Sequence, residues 1–222
     1  MFYRFMRLVV PPLFRLLFRL RVEGKENIPS SGPLIVASNH LSFIDSYVIP
    51  IALLPLKVVF LAKAEYFETR GFKGMVSRWF FTSLGMIPVA RGDGSSALSS
   101  LEQSAQIVND GAVLGIYPEG TRSTDGRLYR GRTGAGWIVL ATGAPVLPVG
   151  LIGTQELQPY GSRFPKIGKG VTVRIGPVLE FGRYDGEPQG RARRAITDEI
   201  IQAIQKLSEQ EYVPEYNDHK SK

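Results

Sequence analysis

Residues 34–46 read LIVASNHLSFIDS, and the reading of this stretch decides the fold. Leu34, Ile35, Val36 and Ala37 are apolar at every position, so the run has no face meant for water. A strand covered on both sides, as in a parallel sheet between helix layers, has this composition. The polar Ser38-Asn39-His40 ends the run, and Asp45 follows five residues after His40. The second of the chain's two histidines, His219, lies in a polar tail, so any imidazole chemistry falls to His40.

The same rhythm continues through the chain. Short apolar runs recur at 57–62 (KVVFLA), 86–90 (MIPVA), 112–117 (AVLGIY), 145–153 (PVLPVGLIG) and 171–176 (VTVRIG), bounded by Gly, Asn or Pro. Between them, SSALSSLEQSAQIVNDG (95–111) has a serine start, apolar residues at Leu98, Leu101, Ala105 and Val108, and Gly111 as a stop. Those are the marks of a helix. RRAITDEIIQAIQKLSEQ (193–210) reads the same way. The expectation is an α/β fold: a single domain over 25–208, with a mostly parallel mixed sheet flanked by helices. Residues 209–222 are expected to be a polar tail that frays.

At 222 residues and 44% hydrophobic, one good-sized core is within reach. The chain has no cysteine, which excludes disulfides, thiolate nucleophiles and cysteine-bound zinc. A net charge of +7 calls for an anionic partner: nucleic acid, acidic lipid or a phosphorylated substrate. The position of the cations separates these. Residues 1–24 hold five arginines against one glutamate among Phe, Leu, Val, Met and Tyr. The arginines recur too often for a spanning helix, and Pro11-Pro12 breaks the segment. Nor does it end like a secretory signal. It reads as an amphipathic helical segment lying in a membrane interface, or alternatively as a helix packed on the protein's own core. Residues 72–85 (FKGMVSRWFFTSLG) are a second candidate for membrane contact, with an ordinary core helix as the alternative. No recognition motif for nucleic acid accompanies the charge.

Three polar clusters follow apolar runs: SNH after LIVA, Arg91 after MIPVA, and PEGTR after AVLGIY. In open α/β sheets, sites form at the C-terminal ends of the strands. Parallel, neighbouring strands would therefore bring His40, Asp45, Arg91, Glu119 and Arg122 into one cleft. Residues five apart do not share a helical face. His40 and Asp45 meet only if His40 sits in a loop and a helix starts near Ser42, with Ser42 as its cap and Asp45 in the first turn. One reading of the pair is an aspartate that fixes the imidazole tautomer, so that the other ring nitrogen takes a proton from a hydroxyl. The other is a first-turn acid complementing a helix dipole, beside a histidine that bridges backbone groups. No GxSxG elbow is present, so the hydroxyl would belong to a substrate. Arg122 and Gly120 suit a phosphate, by bidentate guanidinium bonding and close backbone approach. Arg127, Arg130 and Arg132 add cations nearby. Phosphate-loop, dinucleotide and HExxH motifs are all missing, and a single useful histidine leaves metal ligation without a cluster.

NHLSFID (39–45) resembles the first block of the glycerolipid acyltransferases, which act on glycerol-3-phosphate and 1-acylglycerol-3-phosphate. GMIPVARG (85–92), YPEGTRS (117–123) and APVLPVGL (144–151) resemble their second, third and fourth blocks, in the family's order. The resemblance implies that His40, oriented by Asp45, is general base on a glycerol hydroxyl attacking the thioester of acyl-CoA or an acyl-carrier protein. It implies that Arg91 and Arg122 hold the acceptor's phosphate, that Glu119, Gly120 and Thr121 shape the same site, and that Arg132 is the loop's remaining cation. Pro148 looks structural or related to the acyl chain. Neither a metal nor any other cofactor is implied. The acceptor expected is 1-acylglycerol-3-phosphate, giving phosphatidate, at the cytoplasmic face of the cell membrane as a peripheral or monotopic protein. Glycerol-3-phosphate, another lysolipid or a glycolipid as acceptor, water in a thioesterase, and an inert membrane-binding module are the alternatives. One departure stands out: many relatives have Phe-Lys-x-Gly where this chain has Gly131-Arg132-Thr133-Gly134.

Overall fold

The computed structural model describes residues 12–63, 74, 86–89, 94–162 and 164–217. In chain order its elements are helix α1 (12–17), β1 (Leu20–Glu23), β2 (Leu34–Ser38), α2 (Asp45–Ala52), β3 (Val58–Lys63), β4 (Met86–Val89) and α3 (Gly94–Asn109). These are followed by β5 (Val113–Ile116), β6 (Leu128–Tyr129), α4 (Gly134–Thr142), β7 (Val146–Ile152), α5 (Thr154–Leu157), β8 (Val171–Ile175), α6 (Gln189–Ser208) and β9 (Tyr212–Val213).

All five residues of β2 are buried, as an uninterrupted apolar run requires. Successive side chains serve opposite faces. Leu34 and Val36 enter one core with Val48 and Ile49 of α2, Phe18 and Leu151. Ile35 and Ala37 enter a second core with Ile138 and Val139 of α4 and Ile196, Ile200 and Ile204 of α6. The sheet is thus the middle of three layers. Its order is β1-β8-β7-β2-β5-β3-β4, and within it only the β7–β8 pairing is antiparallel. All six apolar runs are strands of this one mixed sheet, and both expected helices form.

Two expectations at the chain ends are corrected. Residues 12–17 are helical, but Leu20–Glu23 form an edge strand parallel to β8, pairing Leu20 with Val171 and Glu23 with Arg174. Leu20 and Val22 are partly buried while Arg21 and Glu23 are exposed. A half-covered edge strand therefore hides inside a cationic segment that reads as helix. Phe18 is buried in the first core, and Phe14 packs against it with ring centroids 4.5 Å apart. Residue 24 is accordingly no boundary of the packed domain. Residues 1–11 and most of 72–85 lie outside the described residues. Among the described residues no helix is long and apolar enough to cross a membrane.

The tail is the second correction. From Glu209 to Asn217 the chain does not fray, because β9 pairs with β6, and residues 218–222 lie outside the described residues. Gln210 accepts a hydrogen bond from the Asn39 amide at 2.7 Å, and buried Asn217 donates to the Arg122 carbonyl at 3.1 Å. The polar composition that suggests fraying is here a set of hydrogen-bonding groups aimed at the loops beyond β2 and β5. Truncation after Ser208 should destabilise the protein by about 1–3 kcal/mol through the one buried N–H of Asn39 that loses Gln210. Urea unfolding checks this, and an unchanged midpoint would mean that the tail is dispensable.

Candidate active site

Sheet register builds the site. β2 and β5 are parallel neighbours with Ala37 opposite Ile116, so both chains leave the same sheet edge at the same height. Two residues beyond β2 stands His40; three beyond β5 stands Glu119. The Glu119 carboxylate accepts the His40 backbone N–H at 3.1 Å and the Tyr129 N–H at 3.0 Å. Ser123 N–H donates to the His40 carbonyl at 2.7 Å. The loop after β5 thus grips the His40 peptide at both its amide and its carbonyl.

The imidazole is held from its own side. His40 Nδ1 lies 2.9 Å from Asp45 Oδ2, and the same oxygen accepts the N–H groups of Leu41 (2.7 Å) and Ser42 (2.8 Å). Asp45 is wholly buried and opens α2, where the helix dipole favours a negative charge. Nδ1 donating to the carboxylate leaves Nε2 as the nitrogen with a free lone pair. The expected cap is corrected in one half: the Asp45 carboxylate does reach back to Ser42 N–H, but the Ser42 hydroxyl donates to the Gln158 carbonyl at 2.7 Å. The helix begins at Asp45 itself.

An aromatic stack fixes the ring plane. Tyr117 lies nearly parallel to His40, with centroids 3.8 Å apart at 7°, and Phe60 stacks on Tyr117 in turn at 5.3 Å and 21°. Phe60 fits because residue 115 has no side chain: a Cβ there would stand 2.4 Å from the Phe60 ring. The Tyr117 hydroxyl meets Ser46 Oγ at 2.9 Å, and burial, then the Asp45 charge, push it well above its ordinary range. Neither Tyr117 nor Phe60 is among the residues singled out from the sequence. The available signal was positional, since Tyr117 is the first residue past β5 at the edge that carries His40.

The cations divide. Arg122 is partly exposed, with its guanidinium carbon 4.9 Å from the centre of the Tyr160 ring. Arg132 is exposed and lies over Tyr216 of the tail at 5.4 Å, sharing that ring with Arg130. Gly120 closes a turn onto the Tyr117 carbonyl, and Thr121 is partly exposed beside it. Glu119, expected to shape the acceptor site, is 1% exposed with both oxygens taken by backbone, so it shapes the site from beneath. Arg91 lies outside the described residues. The strand that leads to it, β4, is parallel to β3 and ends at Val89, three strands over from β2. Pro148 is buried in β7 opposite Ala37. The Gly131 departure has a packing cause: a Cβ there would stand 2.8 Å from Ile201 and Thr197 of α6, which leaves no room for an aromatic.

Asn39, beside the histidine, is buried and ties three segments together. Its side chain exchanges hydrogen bonds with the Leu151 backbone at 2.9 and 2.7 Å and donates to Gln210. These bonds locate the start of the loop that carries His40 relative to β7 and the tail.

A family model described as Acyltransferase matches residues 19–152, more than half of the chain, and the chain belongs to that family. The matched span contains His40, Asp45, Arg91, Glu119, Gly120, Thr121, Arg122 and Arg132. The chain is 36% identical over 146 residues to the 1-acyl-sn-glycerol-3-phosphate acyltransferase BAT2, chloroplastic, of Brassica napus, covering 65% of this chain and 40% of that one. It is 26% identical over 206 residues to the 1-acyl-sn-glycerol-3-phosphate acyltransferase of Bacillus subtilis (strain 168), covering 92% and 96%. The crystal structure of the 1-acyl-sn-glycerophosphate acyltransferase PlsC from Thermotoga maritima matches with a TM-score of 0.70 at 26% identity, over 92% of this chain and 79% of that one. This chain spans 40%, 39% and 53% of the lengths of its relatives from Brassica, Arabidopsis and Chlamydomonas.

Burial, opposed by the N–H groups of Tyr129 and His40, raises the Glu119 carboxyl to about 7. The folded protein then keeps a proton on Glu119 up to about pH 7 that the unfolded chain loses near 4.3. Stability from this group is full below the lower value and is lost as pH rises through the higher one, by at most about 1.4 kcal/mol per unit. Glu119→Gln should flatten that slope in urea unfolding between those pH values. Equal slopes in variant and wild type would contradict it.

Proposed function

We propose that this protein transfers a fatty acyl group from a thioester to the free hydroxyl of 1-acylglycerol-3-phosphate, giving phosphatidate. One observation carries the reading: a buried carboxylate, pinned by two backbone N–H groups, bonded at 2.9 Å to Nδ1 of the chain's one site histidine. The relatives' names support the acceptor.

In this mechanism His40 Nε2 takes the acceptor's hydroxyl proton as the oxygen attacks the thioester carbonyl carbon. Asp45 stabilises the imidazolium that forms. The tetrahedral intermediate collapses with loss of the thiolate, which takes the proton back from Nε2, so no net proton is gained by the enzyme. Cleavage of the thioester supplies the driving force, so the step needs no nucleotide to drive it. Arg122, with Arg91 and Arg132, holds the acceptor's phosphate. Glu119 and Ser123 act as positioning residues through the His40 peptide, and Tyr117 through the ring. Acyl-CoA or an acyl-carrier protein is the donor. The site works at the cytoplasmic face of a membrane, reached through residues 1–24 and 72–85.

Thiol release from long-chain acyl-CoA or acyl-carrier protein, measured with no acceptor, with glycerol-3-phosphate and with 1-acylglycerol-3-phosphate, tests the reading. Release should require the lysolipid, and His40→Ala and Asp45→Asn should each lower it by about 10³-fold or more. Acceptor-independent release would instead mean a thioesterase. Arg122→Ala should raise the KM for acceptor well above any change in the KM for donor. Unchanged acceptor kinetics would remove Arg122 from phosphate binding.

A further inference from the structure

The loop between α5 and β8 holds apolar side chains out in water on a fixed frame. Phe164 is 74% exposed and Ile167 is 76% exposed. The loop that carries them is nonetheless tied down: Lys166 N–H donates to the Leu157 carbonyl at 2.7 Å, Ser162 N–H to Pro159 at 2.9 Å, and Ser162 Oγ to the Phe164 carbonyl at 2.9 Å. Such an arrangement keeps the two side chains presented instead of letting them fold back.

The exposure is continuous with a second element. Gly168 N–H donates to the Leu17 carbonyl at 3.3 Å, which seats the loop against α1. That helix turns Phe14 inward, yet leaves Leu13 49% and Leu16 77% exposed, with Leu17 at 37%. Two chain segments far apart in sequence therefore meet where both leave apolar side chains exposed, which scattered single exposures would not do. Cations flank it. Lys166 and Lys169 follow Phe164 along the loop, Lys169 with its ammonium 3.4 Å from Glu156, while Arg15 and Arg19 lie on and just after α1. Apolar tips set among lysine and arginine match a bilayer with anionic headgroups, which takes the tips into its acyl boundary and the cations at its surface.

The loop is also joined to the site. Its first residue, Gln158, accepts the Ser42 hydroxyl, and Tyr160 lies under the Arg122 guanidinium.

We propose that Phe164 and Ile167, together with Leu13, Leu16 and Leu17, form a docking surface that inserts into an anionic phospholipid bilayer, with the loop from Gln158 to Gly170 linking that surface to the acceptor side of the site. This rests on the reading of the acceptor as a membrane lysolipid and adds Phe164 and Ile167 to a contact otherwise carried by residues 1–24 and 72–85. An amphiphilic acceptor reaches Arg122 along this loop without its acyl chain crossing water.

The test is co-sedimentation of the full chain with vesicles of phosphatidylcholine, with and without phosphatidylglycerol. Phe164→Ser combined with Ile167→Ser should lower vesicle partitioning by about tenfold or more, with the thermal unfolding midpoint retained because both side chains face water. Lys166→Glu with Lys169→Glu should weaken binding only to vesicles containing phosphatidylglycerol. Phe164→Trp should shift its emission to the blue on vesicle addition and be quenched by lipids brominated in the acyl chain. Wild-type partitioning that is absent, or unchanged in the double serine variant, overturns the proposal. So does concentration-dependent self-association in sedimentation velocity that the serine variant abolishes, since the surface would then receive a second copy. Turnover of a short-chain, monomeric lysophosphatidate separates the two readings: the serine variant should keep it while losing turnover of the bilayer-embedded acceptor. A wild type inactive on both acceptors would reject the acyl-transfer reading and leave the vesicle result standing.

Discussion

A carboxylate with no surface in water must find its hydrogen bonds inside the protein or cost several kcal/mol. Asp45 finds three on a single oxygen, from Leu41 N–H, Ser42 N–H and His40 Nδ1. The two backbone bonds tighten the turn from Leu41 to Asp45 and so set where α2 begins. From that start Val48 and Ile49 reach the core beneath β2. The third bond sets the imidazole tautomer. One interaction therefore couples the packing of a helix to the orientation of the histidine, and neither can shift without the other.

The opposite hold on His40 comes from a different strand. Glu119 takes its N–H and Ser123 gives its own N–H to its carbonyl, while Tyr117 stacks on its ring. These three residues lie within seven positions after β5. Because β5 and β2 are hydrogen-bonded in register, the distance between the two loops is set by the sheet and not by the loops themselves. Sites held by regular elements keep their geometry better than sites held by loops alone. Beneath this arrangement, Asn39 and the tail residue Gln210 tie β2 to β7 and to the chain's end.

Among the strands legible as apolar runs, β2, β5 and β7 are the central ones, and a strand covered on both faces has no polar positions to disguise it. Strand β1 was illegible for the converse reason. At the sheet edge Arg21 and Glu23 stay in water, and the four residues merge with the cationic pattern around them. The tail is illegible in the sequence because polarity alone does not separate a solvated end from one whose amides are spent on partners. Gln210 and Asn217 look the same in both cases. His40 and Asp45 were legible as a pair because their spacing fits a loop followed by a helix start. Tyr117 was not, since an aromatic ring at a strand end has no spacing rule that aims it at a neighbouring loop.

The amino-acid sequence by itself determined the alternation of buried runs and amphipathic segments, hence an α/β sandwich, and it placed the polar clusters just past strand ends. Local patterning suffices for this because burial on one face or two leaves a period that is visible along the chain. Tertiary structure alone decided which ends adjoin: the parallel register of Ala37 with Ile116, the Phe60–Tyr117–His40 stack over the space left by Gly115, and the close approach of α6 that permits only glycine at 131. Each of these depends on contacts between residues far apart in the chain, and one-dimensional order carries no period for a distance that forms only when the layers close.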